Sequence, residues 1–376
     1  MDSFADFNLL PSLQSSVAEK GLVTPTDIQI RVIPALLQGR SVVGVSETGS
    51  GKTLSFALPI LHMLKALENN GDSITVESQP RAIVMVPTRE LGEQLSRVFK
   101  PFTHTTRLRV RTLLGNSTPE VAKKNISGIF EILIATPGRL VKMLDRNLVN
   151  LCDIRILVFD EADQMLDQGF LPDARRIIES CPSFRQLALF SATISSAVQK
   201  LISELFADAE LIRSKGSSSL ASSLNTINRT VIDGNRFVLL EKILKEKVSG
   251  GTLIFTNTRE QCDKLVDELK KTGYTCAIYR GEMDKVERRS NLKAFRDGKV
   301  SLLISTDLAS RGLDVDHVDR VINYHLPRQL ENYIHRVGRT ARAGRRGTVI
   351  NLVTERDAPL MQQAVDYNSG ISTKRI

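Results

Sequence analysis

Ser46-Glu47-Thr48-Gly49-Ser50-Gly51-Lys52-Thr53 lies between an apolar run, Ser41-Val42-Val43-Gly44-Val45, and an amphipathic stretch opening Leu54-Ser55-Phe56-Ala57-Leu58. That order reads as strand, glycine loop, helix. A loop of this composition closes its backbone N–H groups around a phosphate at a helix N-terminus, where the helix dipole favours an anion. Thr48, Gly49, Ser50 and Gly51 then form the cradle, Lys52 reaches the β and γ phosphates, and Thr53 ligates Mg²⁺. The octet starts with Ser46, where the usual phosphate-loop pattern has Gly. A second signature, Asp160-Glu161-Ala162-Asp163, follows the apolar run Ile156-Leu157-Val158-Phe159. It therefore sits at the carboxyl end of a buried strand, the edge at which open α/β sheets bind ligands. Asp160 there can hold Mg²⁺ through water opposite Thr53, and Glu161 can orient and deprotonate a water attacking the γ phosphate. Together the two strings point to hydrolysis of ATP or GTP.

A chain of 376 residues is too long for one compact core of ordinary size and implies two domains. No apolar run approaches a membrane span, the opening Met1-Asp2-Ser3-Phe4-Ala5-Asp6 is acidic rather than signal-like, and no membrane association is expected. Cys152, Cys181, Cys262 and Cys276 are scattered without metal-type spacing, so neither a disulfide nor zinc is expected, and the compartment is reducing and cytoplasmic. The formal net charge is +9, and it is unevenly placed. Residues 1–213 carry 23 Lys and Arg against 23 Asp and Glu, whereas residues 214–376 carry 28 against 19. The second part therefore favours a polyanionic partner, for which nucleotide phosphates and nucleic acid both qualify.

Short apolar runs recur along the chain: Ala82–Val86, Glu131–Ala135, Ile156–Phe159 and Leu187–Phe190, then Thr252–Thr256, Cys276–Tyr279, Ser301–Ser305, Arg320–Tyr324 and Thr348–Leu352. Longer helix-compatible segments such as Glu260–Lys270 lie between them. Continuous apolar strands alternating with helices mean parallel sheets covered on both faces. The serine-rich stretch Ser214-Lys215-Gly216-Ser217-Ser218-Ser219-Leu220-Ala221-Ser222-Ser223 separates the two series. The expected organisation is an ATP-binding domain at 1–213, a flexible linker at 214–225 and a second α/β domain at 226–376.

Only the first domain carries a phosphate loop. The second carries His335-Arg336-Val337-Gly338-Arg339-Thr340-Ala341-Arg342, whose arginines could face the first domain across a cleft and touch the γ phosphate when it closes. Thr306-Asp307-Leu308-Ala309-Ser310-Arg311-Gly312-Leu313-Asp314 follows another buried strand and places polar groups at that sheet's carboxyl edge. Two half-sites facing across a linker imply closure driven by nucleotide.

On these strings, joined by Thr24-Pro25-Thr26-Asp27-Ile28-Gln29, Pro87-Thr88-Arg89-Glu90-Leu91, Thr136-Pro137-Gly138-Arg139, Ser191-Ala192-Thr193 and Ile254-Phe255-Thr256-Asn257-Thr258, the chain resembles a DEAD-box ATP-dependent RNA helicase of superfamily 2 from Phe4 to about Val353. The resemblance implies two tandem RecA-like domains, each a mostly parallel sheet with helices on both faces. It implies an RNA-dependent ATPase that locally unwinds short RNA duplexes or remodels RNA–protein complexes. ATP is the implied substrate and Mg²⁺ the cofactor.

Residue by residue, the resemblance implies that Gln29 bonds the adenine edge, Phe4 stacks on the base and Asp314 meets the ribose. Lys52, Glu161, Arg339 and Arg342 would be catalytic, the two arginines as fingers. Ser191 and Thr193 would bond to Asp163 and couple hydrolysis to closure, and His335 would bridge toward the acidic motif. RNA would run along Thr88, Arg89, Gly115, Thr136, Gly138, Arg139, Arg288 and Thr306, gripped mainly by its sugar-phosphate backbone. Protein partners would confer specificity. The chain departs from the family pattern at Asn116 for Gly, Lys285 for Gln, His325 for Asp and Ala341 for Gly. The residues alone admit unwinding, annealing or an ATP-gated clamp.

Overall fold

The computed structural model describes residues 3–47, 49–115, 118–183, 185–214, 224–307, 315, 317–341 and 346–368. The chain divides into two compact units, Met1–Ser217 and Ser218–Ile376. In the first, strands β1 (Val42–Val45), β2 (Ala82–Met85), β3 (Val110–Leu113), β4 (Ile132–Ala135), β5 (Ile156–Phe159), β6 (Gln186–Ser191) and β7 (Glu210–Arg213) form a seven-stranded sheet in the order β3-β4-β2-β5-β6-β1-β7. In the second, β8 (Leu224–Thr230), β9 (Gly251–Thr256), β10 (Cys276–Tyr279), β11 (Leu302–Thr306), β12 (Val318–Asn323) and β13 (Gly347–Val353) form a six-stranded sheet in the order β10-β11-β9-β12-β13-β8. The pairings run parallel in both sheets.

Successive side chains of a strand point to opposite faces, so a fully apolar strand feeds two cores. Val42, Val84, Ile134, Val158 and Phe190 pack on one face of the first sheet. Val43, Met85, Leu133, Phe159 and Leu189 pack on the other. In the second sheet Leu253, Phe255, Leu303 and Val321 face one core, while Ile254, Ile304 and Ile322 face its opposite. Among the described residues no helix is long and apolar enough to cross a membrane.

The register brings the strand ends level. Val45 pairs with Ser191 and Met85 with Phe159. The ladder continues one step into polar sequence: Ser46 N–H donates to the Ser191 carbonyl (3.1 Å) and Asp160 N–H to that of Met85 (3.0 Å). Helices then start at once, at Lys52 after β1, Arg89 after β2, Pro137 after β4 and Ala162 after β5. Thr88 caps the second of these, its hydroxyl accepting from Leu91 N–H at 3.3 Å.

Three strands fall outside the apolar runs of the sequence, β3, β7 and β8, all at sheet edges; β10 is the one edge strand those runs include. Leu224 and Asn225, expected in the linker, open β8.

Gly44 is fixed by its neighbour. It pairs with Phe190, and a Cβ on it would stand 2.7 Å from that ring, which itself packs on Phe56 of the helix following the glycine loop (5.1 Å between centroids). Gly44→Ala is therefore expected to lower stability by about 1–3 kcal/mol, because the ring cannot yield without disturbing the helix. Adding Phe190→Leu should make the Gly44→Ala step markedly cheaper in chemical denaturation. Equal costs in both backgrounds would show that the ring is not what excludes a side chain there.

Candidate functional site

The loop after β1 is held in shape by its own residues. Gly49 and Gly51 sit at φ +86° and +92°, which L side chains rarely adopt. A Cβ on Gly51 would also lie 2.5 Å from Gln29 Nε2. Lys52 is 7% exposed, and its Nζ donates to the Ser46 carbonyl at 2.7 Å, closing the loop with its own cation. The unexpected Ser46 has a local use: its hydroxyl bonds that of Ser50 (2.7 Å), which also reaches the Glu47 carbonyl (2.7 Å). Thr53 is the second residue of the helix Lys52–Asn69. Thr48 lies outside the described residues.

Gln29 is buried beside this loop. Its Oε1 accepts from Thr26 N–H (2.8 Å) in a capping box, and its Nε2 donates to the Gly51 carbonyl (3.1 Å). Each end of the amide retains one further hydrogen-bonding capacity. Phe4 packs edge-on against Phe7 (5.7 Å) within the core, so stacking on a base requires the turn Phe4–Phe7 to move.

The acidic string after β5 is buried throughout: Asp160, Glu161 and Asp163 are 4%, 7% and 2% exposed. Asp163 is well satisfied. Its Oδ2 accepts from Ala192 N–H (3.2 Å), Thr193 N–H (3.1 Å) and the Thr193 hydroxyl (3.0 Å), and its Oδ1 from Gln164 N–H (3.0 Å). Thr193 thus meets Asp163, whereas the Ser191 hydroxyl donates to the Thr193 carbonyl at 2.7 Å. Asp160 is different. Burial, reinforced by the Glu161 carboxylate and opposed by Lys52, pushes its carboxyl up to about 7. Glu161 takes a left-handed backbone (φ 52°, ψ 53°), a conformation costing a side-chain-bearing residue roughly 1–3 kcal/mol. Its Oε2 is buried without a hydrogen-bond partner. Sequence order alone did not mark Glu161 as strained.

A second group lies on the other half of the same edge, after the neighbouring strands β3, β4 and β2. Gly115 follows β3, and a Cβ there would sit 4.0 Å from the Thr136 hydroxyl. Thr136 precedes the helix Pro137–Leu144 without capping it through its side chain. A Cβ on Gly138 would stand 3.3 Å from an Asp173 carboxylate oxygen. Arg139 donates to the Thr118 carbonyl (3.0 Å), and Arg89 pairs with Glu93 (2.7 Å). Asn116 lies outside the described residues.

In the second unit Thr306 ends β11, and Arg288 stacks over Tyr279 at 5.7 Å. His335 and Arg339 are 4% and 3% exposed, with Arg339 Nε donating to the His335 carbonyl at 3.1 Å. Asp314 and Arg342 lie outside the described residues. Arg336, grouped in the sequence with the arginines that could face a cleft, is instead 1% exposed. Its guanidinium grips both Asp307 carboxylate oxygens, the Asn323 side chain (3.1 Å), the His325 carbonyl (2.6 Å) and the Asn257 side chain (2.8 Å). It also lies 5.0 Å from the Phe255 ring. Arg336 therefore ties together the carboxyl ends of β11, β9 and β12. The available signal was a polar side chain at or just past the end of each of three apolar strands, Asn257, Asp307 and Asn323. Beside it, burial together with Arg236 and Arg336 pushes His325 down to about 4, so a neutral ring stands where the family pattern has Asp.

Comparison with known proteins agrees with this geometry. The model of the DEAD/DEAH box helicase family matches residues 26–201, and that of the helicase conserved C-terminal domain matches 235–344. The chain is 38% identical over 371 residues to the DEAD-box ATP-dependent RNA helicase RhpA of Helicobacter pylori, covering 97% of this chain and 73% of that protein. It is 33% identical over 362 residues to the ATP-dependent RNA helicase DeaD of Mycobacterium tuberculosis, covering 96% of this chain and 62% of that one. Among solved structures, Saccharomyces cerevisiae Dbp5 bound to RNA and ADP BeF3 superposes with a TM-score of 0.86 at 28% identity, covering 100% of this chain and 96% of Dbp5. The chain belongs to the DEAD-box ATP-dependent RNA helicases of superfamily 2, and its two parallel-sheet units are the RecA-like domains of that family.

Proposed function

We propose that this chain binds RNA and couples RNA-stimulated ATP hydrolysis to closure of its two units, separating short duplexes or displacing bound proteins. The observation that carries the proposal is the division of one sheet edge. The glycine loop, Asp160, Glu161 and the Thr193–Asp163 contact occupy the ends of β1, β5 and β6. Thr88, Gly115 and Thr136 occupy the ends of β2, β3 and β4. A change at the nucleotide half is thus one strand away from the half proposed to hold RNA. ATP and RNA both favour the closed state, so each tightens binding of the other.

In this proposal Lys52 gives up the Ser46 carbonyl for the β and γ phosphates, and Thr48, Gly49, Ser50 and Gly51 cradle them. Gln29 uses its remaining lone pair and N–H on adenine, Phe4 stacks on the base and Asp314 holds the ribose. Glu161 orients the attacking water and takes its proton. Arg339 and Arg342 stabilise charge on the transferred phosphoryl group, and Ser191, Thr193, Asp163 and His335 couple that event to closure. RNA backbone contacts fall to Thr88, Arg89, Gly115, Thr136, Gly138, Arg139, Arg288 and Thr306, a sequence-tolerant grip that leaves specificity to protein partners. The four cysteines are free thiols, which supports a cytoplasmic setting.

The residues fit Mg²⁺. Thr53 and Asp160 offer oxygen donors, and the Oε2 of Glu161 next in sequence is buried and unpartnered. No cluster of three or more His, Cys, Asp or Glu forms a protein-only metal cage among the described residues, as suits an ion held jointly with phosphates. When bound, Mg²⁺ supplies positive charge at the β and γ phosphate oxygens.

The proposal is tested by steady-state ATPase rates without nucleic acid, with single-stranded RNA and with DNA of the same sequence. RNA should stimulate strongly and DNA weakly, and Glu161→Gln should lose at least about 100-fold of the stimulated rate, the scale of a general base. Equal wild-type rates in all three conditions would remove RNA from the proposal.

The ionisation of Asp160 gives a second test. Its folded value, about 7, exceeds the ordinary 3.8, so between these the folded chain holds a proton that the unfolded chain has released. Its contribution to stability therefore falls as pH rises from about 4 to about 7. In EDTA without nucleotide, wild type should lose stability relative to Asp160→Asn across that range, and Mg²⁺ with an ATP analogue should abolish the trend. A difference between the two proteins that does not vary with pH would contradict this placement of the carboxyl.

A further inference from the structure

The opposite, amino-terminal edge of the second sheet carries a buried cation remote from the residues of that sheet proposed to hold ATP and RNA. Arg320 in β12 is 3% exposed. Its Nε donates to the Thr252 hydroxyl (3.1 Å), and its Nη1 to the carbonyls of Ile243 (2.9 Å) and Glu246 (3.2 Å). Ile243 and Glu246 lie at the C-terminal end of the helix Arg236–Leu244, whose dipole offsets part of the guanidinium charge. Arg320 donates to no carboxylate, and its Nη2 has no hydrogen-bond partner among the described residues. A guanidinium whose hydrogen bonds go only to neutral acceptors keeps capacity for an anion.

Arg320 lines a cavity of about 400 Å³, with Lys247 and Lys299 as further cations and Glu246 as the one carboxylate on its wall. Tyr274, Val248 and Val300 form an apolar side. The cavity lies at the starts of the strands, since Leu302 on its wall opens β11 and Thr252 is the second residue of β9, whereas Thr306 and Asn257 stand at their far ends. It is therefore separate from the proposed nucleotide and RNA edge.

We propose that this cavity is a binding site for a small organic phosphate, its phosphate held by Arg320, Lys247 and Lys299 and its organic part laid against Tyr274 and Val248. A guanidinium fork matches phosphate oxygens geometrically, and three cations against one carboxylate suit a dianion. The volume lies within the range of small-molecule sites and exceeds what a lone phosphate fills.

The test is methyl NMR of the full chain with Leu and Val labelled, titrated with phenyl phosphate and with inorganic phosphate at constant ionic strength. Phenyl phosphate should produce saturable shifts at the Val248 and Val300 methyls and bind severalfold more tightly than inorganic phosphate. The surface double variant Lys247→Ala/Lys299→Ala should weaken it by about 10-fold or more, the scale of losing charge-assisted bonds, and leave ATPase activity unchanged. Arg320→Lys, which keeps the charge and loses the fork, should weaken it too. If Arg320→Lys does not fold, the lysine variant carries the test alone. Shifts confined to methyls flanking the glycine loop, such as Val45 and Leu54, would overturn the proposal. So would undiminished binding to the lysine variant, or inorganic phosphate binding as tightly as phenyl phosphate.

Discussion

A strand buried on both faces has room for polar chemistry only beyond its end. In the first unit Val42–Val45, Ala82–Met85, Ile132–Ala135 and Ile156–Phe159 are buried along their whole length. Every hydrophilic side chain of those segments is therefore displaced to the turn that follows. Because all the strands run parallel and in level register, the turns share one edge. The order β3-β4-β2-β5-β6-β1-β7 then sorts them: loops with Thr88, Gly115 and Thr136 on one side, the glycine loop and Ser191–Thr193 on the other, with Asp160–Asp163 between. Apolar burial thus determines which polar groups become neighbours.

Within that edge, satisfaction and deprivation are divided between adjacent carboxylates. Asp163 receives hydrogen bonds on both oxygens and is fixed against Ala192 and Thr193. Glu161, two residues earlier, has an oxygen buried without a partner and a left-handed backbone. Asp160 between β5 and Glu161 holds its proton to about pH 7. The first arrangement suits a rigid joint and the second suits groups that act on a ligand. The second unit repeats the contrast. Arg336 is saturated by partners from three strand ends, whereas Arg320, at the other end of the same sheet, donates only to a hydroxyl and to backbone carbonyls.

The sequence was most readable where burial left it little freedom. Central strands are apolar on both faces and stand out as runs, and the glycine loop needs its glycines at positive φ. Edge strands have one neighbour and expose more surface, so Val110-Arg111-Thr112-Leu113 and the polar Leu224–Thr230 carry little apolar signal. Side-chain partners were less legible still. Ser191 was expected on Asp163 and instead bonds the Thr193 carbonyl, a choice set by the turn geometry after β6. Gln29 was expected at a ligand and is first of all a helix cap tied to Gly51. Phe4 was expected at a base and is a core residue. For Ser191 and Gln29 the local backbone offers a nearer partner than the distant one that motif order suggests, and for Phe4 the neighbouring ring of Phe7 does.

Mutual tightening of ATP and RNA is the property on which the rest turns, and the most direct measurement is the RNA affinity of the full chain without nucleotide, with ADP and with a non-hydrolysable ATP analogue. Both ligands favouring one closed state requires at least about 10-fold tighter RNA binding with the analogue than with ADP, and an equal factor when analogue binding is measured with and without RNA. RNA affinity that is the same in all three nucleotide states would contradict coupling between the two halves of the edge.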